Sequence, residues 1–515
     1  MKNLHRFAGL ISAAVISGLM TGCADISSSD SVETKTTIDV PKSTTTVTLS
    51  QAEPTATCRA ERYDMDLKLD TERKQLSGKV TIKLINETED TLQELCIRSD
   101  ASHDMQIQNV IIEETKQKLE VREKQEAGVF YADIASMPLQ PGQSISLELD
   151  FVTEIPNQKN RFGYTVNGED EIYQLSFCFP RIAMYENGTW DESPYINDGG
   201  ENNYVTVSDY YVTLEVPEEF TVIASGDEET TGNTTTITGK NLRQLAIFAA
   251  TNLKMDTEIV QDVSINNYYF AHEGNEEYNA MTKDAAKDSF SLYTALFGEY
   301  PYQELDIVQG YYSSAMEYSG IILMGLPDQK DMTELDKNAS FVALCSQVAH
   351  EVAHQWFYGV VGNDPYDEPW LDESLAEYCE DMLYQQSKLP SIGTAVKHDE
   401  KLNSSSTWGR MTDEEFNQLT DSMIEQITGD EYIISKPYSA YSKENQEYSA
   451  YVYDGGTYFL YELRKAMGDG VFYPMLQEYY KAYRFNEVST EEFVEVIRTF
   501  DSSESVRRIV EKYIQ

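Results

Sequence analysis

The sequence predicts a multidomain chain of α and β structure, with an N-terminal all-β domain over residues 56–253 followed by an α+β domain over residues 254–515. Three observations carry this. First, Val80-Thr81-Ile82-Lys83-Leu84, Ile145-Ser146-Leu147-Glu148-Leu149 and Val212-Thr213-Leu214-Glu215-Val216 alternate apolar and polar residues, the period-two signature of half-buried strands. Pro141-Gly142, Asn167-Gly168 and Gly232-Asn233 punctuate them as turns. Second, beyond about residue 254 the apolar spacing becomes helical, as in Ala280 to Phe297, which stops at Gly298. Third, His350-Glu351-Val352-Ala353-His354 is followed by Trp370-Leu371-Asp372-Glu373, and such a pattern has a use only where a helix face is held against a second element.

At 515 residues there is material for two or three domains. The chain opens with Lys2, His5 and Arg6, then an apolar run from Phe7 to Met20, then Leu19-Met20-Thr21-Gly22-Cys23. The run is shorter than the 18 or so residues a membrane span needs. The segment resembles a bacterial lipoprotein signal, with Met20 where Leu is usual. That resemblance implies a signal peptide over 1–22 and a lipid-bearing Cys23. The protein would then be anchored to the cell membrane with its folded part on the extracytoplasmic side. Residues 23–55 are rich in Ser and Thr, carry Pro41 and Pro54, and read as a disordered tether. Tyr185 to Tyr204, polar and aromatic, reads as a long surface loop.

In the second half, Leu305 to Val308 and Ile321 to Met324 read as strands. Asn338 to Val360 reads as one long helix, and a second should run from about Leu371 to Gln386. Residues 395–450 are polar and Tyr-rich, without a pattern that places elements. Helices return from Gly456, and Ser489-Thr490-Glu491-Glu492 offers a capping box before Phe493. Apart from Cys23 the cysteines are Cys58, Cys96, Cys178, Cys345 and Cys379. Their odd number and wide spacing argue against a disulfide framework and for buried structural thiols.

The formal net charge is −47. It opposes binding of nucleic acid, whose phosphates such a surface repels, and fits general solubility outside the cell.

On a helix, residues i and i+4 share a face. His350 and His354 can therefore aim two imidazole nitrogens at one metal ion, with Glu351 one position round as a general base. This is the zinc-hydrolase arrangement. Glu373, nineteen positions beyond His354 (373 − 354), is the natural third ligand and leaves a fourth position open. Ala349, Val352, Ala353, Trp356 and Phe357 mark the helix as buried, and buried imidazoles and carboxylates need partners. One Zn2+ per chain supplies them.

Over roughly residues 56–515 the chain resembles the family M1 (gluzincin) zinc aminopeptidases. The resemblance rests on His350-Glu351-Val352-Ala353-His354-Gln355-Trp356-Phe357, the block Trp370 to Glu373, Ala315-Met316-Glu317, and Val452-Tyr453-Asp454-Gly455-Gly456. It implies a thermolysin-like catalytic domain over 254–515 and peptide substrates with a free N-terminus. It further implies that Glu317, with Ala315 and Met316, binds the α-amino group and adjoining backbone. Tyr453 would steady the oxyanion. Ser314 and Tyr318 replace the family's Gly and Asn around that motif, and Gly455-Gly456 lacks the family's Lys. The chain ends before the large C-terminal helical domain of many relatives, so a more open cleft is expected. Two other readings stay open: an endopeptidase or epoxide hydrolase of the same clan, and an inactive surface binding module. Retention of Glu317 argues against the first, and retention of Glu351 and all three ligands against the second.

Overall fold

The computed structural model describes residues 38, 40–100, 104–196, 203–272, 275–312, 314–325, 333–385, 389–401, 418, 433–442 and 447–514. Cys23 and the leader over 1–22 lie outside the described residues, as does most of the stretch 395–450.

The N-terminal half is built from packed sheets. The largest runs in the order Asp227–Thr231, Thr234–Leu242, Ser208–Glu215, Cys58–Asp70, Gln75–Asn86, Ser144–Glu154, Gln106–Ile112 and Gln117–Lys118. The three alternating segments of the sequence lie in it, and their apolar residues (Val80, Ile82, Leu84, Leu147, Leu149, Leu214 among them) line one core. Tyr63 pairs in register with Ile82 on one side and Tyr210 on the other, and the Tyr63 and Tyr210 rings stack at 5.1 Å, adding to plain burial. The Tyr185–Tyr204 loop is more structured than expected. Tyr185–Glu186 and Thr189–Trp190 form a two-stranded ribbon. The Asp191 carboxylate and the Ser193 carbonyl then accept from the fully buried Arg98 guanidinium, so burying that cation is what orders this stretch.

One strand belongs to both halves. Ala246–Ala250 is buried at every position. Ile247 and Ala249 face the β core, while Ala246 and Phe248 pack with Val308, Tyr318, Ile321 and Leu323 of the C-terminal half. That half starts from a five-stranded sheet in the order Leu253–Val260, Val263–Phe270, Glu304–Gly310, Ile321–Gly325, Ala315–Tyr318. Among the described residues Ala315–Tyr318 is therefore an edge strand. Helices Asn275–Phe297, Glu334–Ala353, Trp370–Tyr384 and Pro390–Lys401 follow, then Gly456–Met467, Asp469–Ala482, Thr490–Phe500 and Glu504–Tyr513. The expected capping box is present: Ser489 Oγ accepts from the Glu492 N–H and Glu492 reaches back to the Ser489 N–H. The five cysteines Cys58, Cys96, Cys178, Cys345 and Cys379 are buried and free.

Arg243 pins the halves together. Its guanidinium, 1% exposed, donates to the Tyr358 carbonyl at 2.7 Å, the Val205 carbonyl at 2.6 Å and the Glu487 carboxylate at 2.6 Å. Gly362 is required beside it, because a Cβ there would lie 2.1 Å from the guanidinium carbon.

The tether expectation for 23–55 needs correction over its described part. Residues 40–55 lie as a strap along the C-terminal helices. The Thr44 N–H donates to the Gly470 carbonyl at 2.8 Å and the Ala52 N–H to the Ala482 carbonyl at 2.9 Å. The Leu49 N–H donates to the Glu478 carboxylate at 3.0 Å, and Leu49 and Ile38 pack on the C-terminal core. A Ser/Thr-rich segment has no periodicity of its own. Its order comes from backbone bonds to a partner that a local pattern does not register. Among the described residues no helix is long and apolar enough to cross a membrane.

Candidate active site

The helix Glu334–Ala353 buries Val348, Ala349, Val352 and Ala353 completely, which directs His350 and Glu351 of its last turn to the neighbouring face. The expected continuation to Val360 is not found: the helix stops at Ala353. Trp356, Phe357 and Val360 are all buried, so apolar spacing alone does not separate helix from a packed turn here. The His354 N–H still donates to the His350 carbonyl at 3.3 Å, keeping the two imidazoles one turn apart. The chain then reverses through Tyr358, whose φ of 123° is strained for a bulky residue. Arg243 holds its carbonyl, and its hydroxyl accepts from the Asn203 amide at 2.7 Å and donates to Gln244 Oε1 at 3.1 Å. The N-terminal half thus fixes the turn that places the Phe357 carbonyl 3.1 Å from His354 Nδ1.

The second helix runs Trp370–Tyr384 and puts Glu373 in its first turn, as expected. Trp370 Nε1 donates to Thr490 Oγ1 at 2.9 Å, anchoring that end. His350 Nε2 lies 3.1 Å from Glu373 Oε2 and 3.1 Å from His354 Nε2, and His354 Nε2 lies 3.5 Å from Glu373 Oε2. The structure thus brings His350, His354 and Glu373 together, their ligand atoms all within 4.8 Å of one another.

The outer nitrogens are occupied too. His354 Nδ1 faces the Phe357 carbonyl, and His350 Nδ1 lies 3.3 Å from Glu377 Oε2. When each Nδ1 carries the proton it donates there, both Nε2 atoms present lone pairs to one point beside a carboxylate. Two lone pairs and an anion converging in a buried space can hold a metal cation in place of a proton. Burial alone would push the His350 imidazole down, but its bonds to Glu373 and Glu377 hold it well above its ordinary value. Burial would likewise raise the Glu373 carboxyl, yet His350 and His354 hold it far below the carboxylate range. Two nitrogens and one oxygen suit zinc with a position left open.

Tyr453 sits in a π-helical turn, Ser449–Gly455, the kind of irregularity common at functional sites. Its ring stacks on His350 at 5.9 Å. Burial and the bonded Glu373 carboxylate keep its phenol protonated far above the ordinary value. Ser374 ties the turn down by donating to the Val452 carbonyl at 2.6 Å.

Glu317, with Ala315 and Met316, lies on the edge strand Ala315–Tyr318, paired antiparallel to Ile321–Gly325. Glu317 is 5% exposed. Gln355, directly after His354, crosses to this hairpin: it accepts from the Gly320 N–H at 3.0 Å and donates to the Tyr318 carbonyl at 3.1 Å. Glu377, Gln355, Tyr358 and Arg243 were not singled out in the sequence. Glu377 could have been, since it stands one helical turn beyond Glu373 on the same face. The other three act through contacts between distant segments.

The chain is similar to several known proteins. Residues 281–513 match the peptidase family M1 domain. The chain is 22% identical over 321 residues to aminopeptidase 2 of Candida albicans, covering 58% of this chain and 32% of that protein. It is 21% identical over 275 residues to human endoplasmic reticulum aminopeptidase 1, covering 53% and 27%. It therefore spans about a third or less of the length of these relatives. The fold matches an M1 zinc metallopeptidase from Deinococcus radiodurans with a TM-score of 0.57 at 17% identity, covering 90% of this chain and 94% of that one. A mutant of the Deinococcus radiodurans enzyme bound to a Tyr-Ser-Ala substrate matches with a TM-score of 0.56 at 16% identity, covering 90% and 95%.

Proposed function

We propose, from the premise that residues 281–513 are a peptidase family M1 domain, that this chain is a zinc-dependent aminopeptidase that releases N-terminal residues from peptides. The observation that carries this is the convergence of His350, His354 and Glu373, with Glu351 adjacent, beside an edge strand bearing the buried Glu317.

His350, His354 and Glu373 would hold the zinc ion, which when bound supplies Lewis acidity that acidifies water and polarises a peptide carbonyl. Glu351 accepts the proton of the attacking water and passes it to the leaving amine. The Tyr453 phenol, protonated at any physiological pH, donates to the carbonyl oxygen as negative charge develops on it. Glu317 pairs with the substrate ammonium, so that the first peptide bond and no later one meets Glu351. The outer edge of this strand is where the substrate can add as a further strand.

The test is a panel of aminoacyl chromogenic amides beside their N-acetylated forms. Hydrolysis confined to free-amine substrates, abolished by a chelator and restored by zinc, is the expected result. No chelator-sensitive release from any free-amine substrate would overturn the reading, and equal cleavage of blocked substrates would make the protein an endopeptidase.

The membrane location rests on the leader. Lys2 and Arg6, the apolar run and Gly22-Cys23 support a lipid on Cys23 that holds the catalytic body on the extracytoplasmic side. Cys23→Ser is expected to move the protein from the membrane to the soluble fraction and to end labelling by radioactive palmitate. Unchanged fractionation and labelling would exclude lipidation there.

A further inference from the structure

The two chemical reference points of the site come from parts of the chain far apart in sequence. The metal ligands His350 and His354 stand at the end of one helix, and Glu317 on an edge strand of the sheet. Direction along a peptide is read only if the interval between them is held. Gln355 is the side chain that spans it. It follows His354 immediately, is 1% exposed, and its amide uses both functions on one tight turn: Oε1 accepts from the Gly320 N–H at 3.0 Å, and Nε2 donates to the Tyr318 carbonyl at 3.1 Å. That turn, Ser319-Gly320, closes the hairpin in which Tyr318 pairs with Ile321 and Glu317 with Ile322. Gly320 takes a φ of 76° there, which glycine adopts without strain. Tyr318 and Ser319 are fully buried, so water does not readily replace the amide. Two further bonds hold the same segment from the other side. Ser319 Oγ accepts from the Arg243 N–H at 3.0 Å, and the Glu317 carbonyl accepts from Gln244 Nε2 at 3.4 Å.

We infer that Gln355 is a positioning residue that sets the interval between the metal and the amine anchor, and so the selectivity of the site for a free N-terminus. The inference rests on the aminopeptidase reading above. Only an amide does this job. A carboxylate at 355 would still accept from Gly320 but would face the Tyr318 carbonyl with a second acceptor, and a thioether would serve neither backbone group.

The experiment compares the full-length wild-type enzyme with Gln355→Met and, where that variant folds poorly, Gln355→Glu. Each is measured for zinc content, for KM and kcat on an aminoacyl anilide and its N-acetylated form, and for inhibition by two probes. One probe is an amino acid amide carrying a free amine, the other an amine-free hydroxamate that reports on the metal alone. The expected result is one zinc per chain and unchanged hydroxamate inhibition, with KM for the free-amine substrate and Ki for the amino acid amide raised about 10- to 100-fold. Preference for the free amine over the blocked substrate falls in parallel. A folded, zinc-replete variant with unchanged free-amine preference overturns the inference, as does loss of zinc in step with loss of activity. A wild-type enzyme without free-amine hydrolysis is a different failure, that of the aminopeptidase reading itself.

Discussion

Glu351→Gln is expected to cut kcat by about 10²- to 10⁴-fold, the worth of a positioned general acid–base, while the protein keeps its zinc. The substitution exchanges one carboxylate oxygen for an amide nitrogen and changes almost nothing else. Glu351 is 7% exposed in the last turn of its helix, and an isosteric amide preserves the packing against its neighbours. It is not one of the three groups whose donor atoms converge, His350, His354 and Glu373. Metal affinity should therefore stay near wild type, whereas Glu373→Gln would weaken it. What the amide lacks is the ability to take a proton from water and return it to the departing amine. Binding of substrate does not depend on that step, so KM should move little, and the variant becomes a means of trapping bound peptide. Steady-state kinetics, metal analysis and peptide titration on one preparation decide the matter. A kcat within about tenfold of wild type would remove Glu351 from the reaction. Loss of zinc would make it a ligand.

How much of this was legible beforehand depends on the range over which each feature is encoded. The alternation at Val80 to Leu84 and the spacing from Ala280 to Phe297 are local, and both reappear as a strand and a helix. The metal site is nearly local: His350 and His354 share one helical turn, and Glu373 needs only a second helix to return against the first. The end of that first helix is not legible, because Trp356, Phe357 and Val360 are buried by the packed turn that replaces the helix. The strap over 40–55 is not legible either, because its order comes from the Gly470 and Ala482 carbonyls, more than 400 positions away. Gln355 stands inside the His350–Phe357 motif but nothing in the motif states what it touches, and Arg243 belongs to no motif. They act through the turn at Tyr318–Gly320 and the strained Tyr358, and neither is visible until the sheets and helices are packed.

Glu317→Ala carries the other large expected effect, and it separates the substrate class from the chemistry. Glu317 is 5% exposed, on a strand held by antiparallel pairing to Ile321–Gly325 and by the bonds of Gln355 to Tyr318 and Gly320. A charge-assisted bond from a substrate ammonium to a carboxylate so buried, when one partner is truncated, is worth about 2–5 kcal/mol. Each 1.36 kcal/mol is tenfold, so kcat/KM for a free-amine substrate should fall by about 30- to 5,000-fold. Zinc content and hydroxamate affinity should stay at wild-type values, because Glu317 lies outside the metal-binding group. An N-acetylated substrate has no ammonium to lose, so its slow hydrolysis should be unchanged or rise once the carboxylate no longer confronts an uncharged group. Glu317→Gln should fall between, since it still accepts a hydrogen bond but supplies no charge. The ratio of free-amine to blocked hydrolysis is thus the quantity to follow, more than either rate. If both substrates lose activity equally on Glu317→Ala, the residue is supporting the strand and the enzyme reads its N-terminus by some other group. If only the free-amine substrate suffers, the buried carboxylate on the edge strand is what makes this hydrolase an exopeptidase.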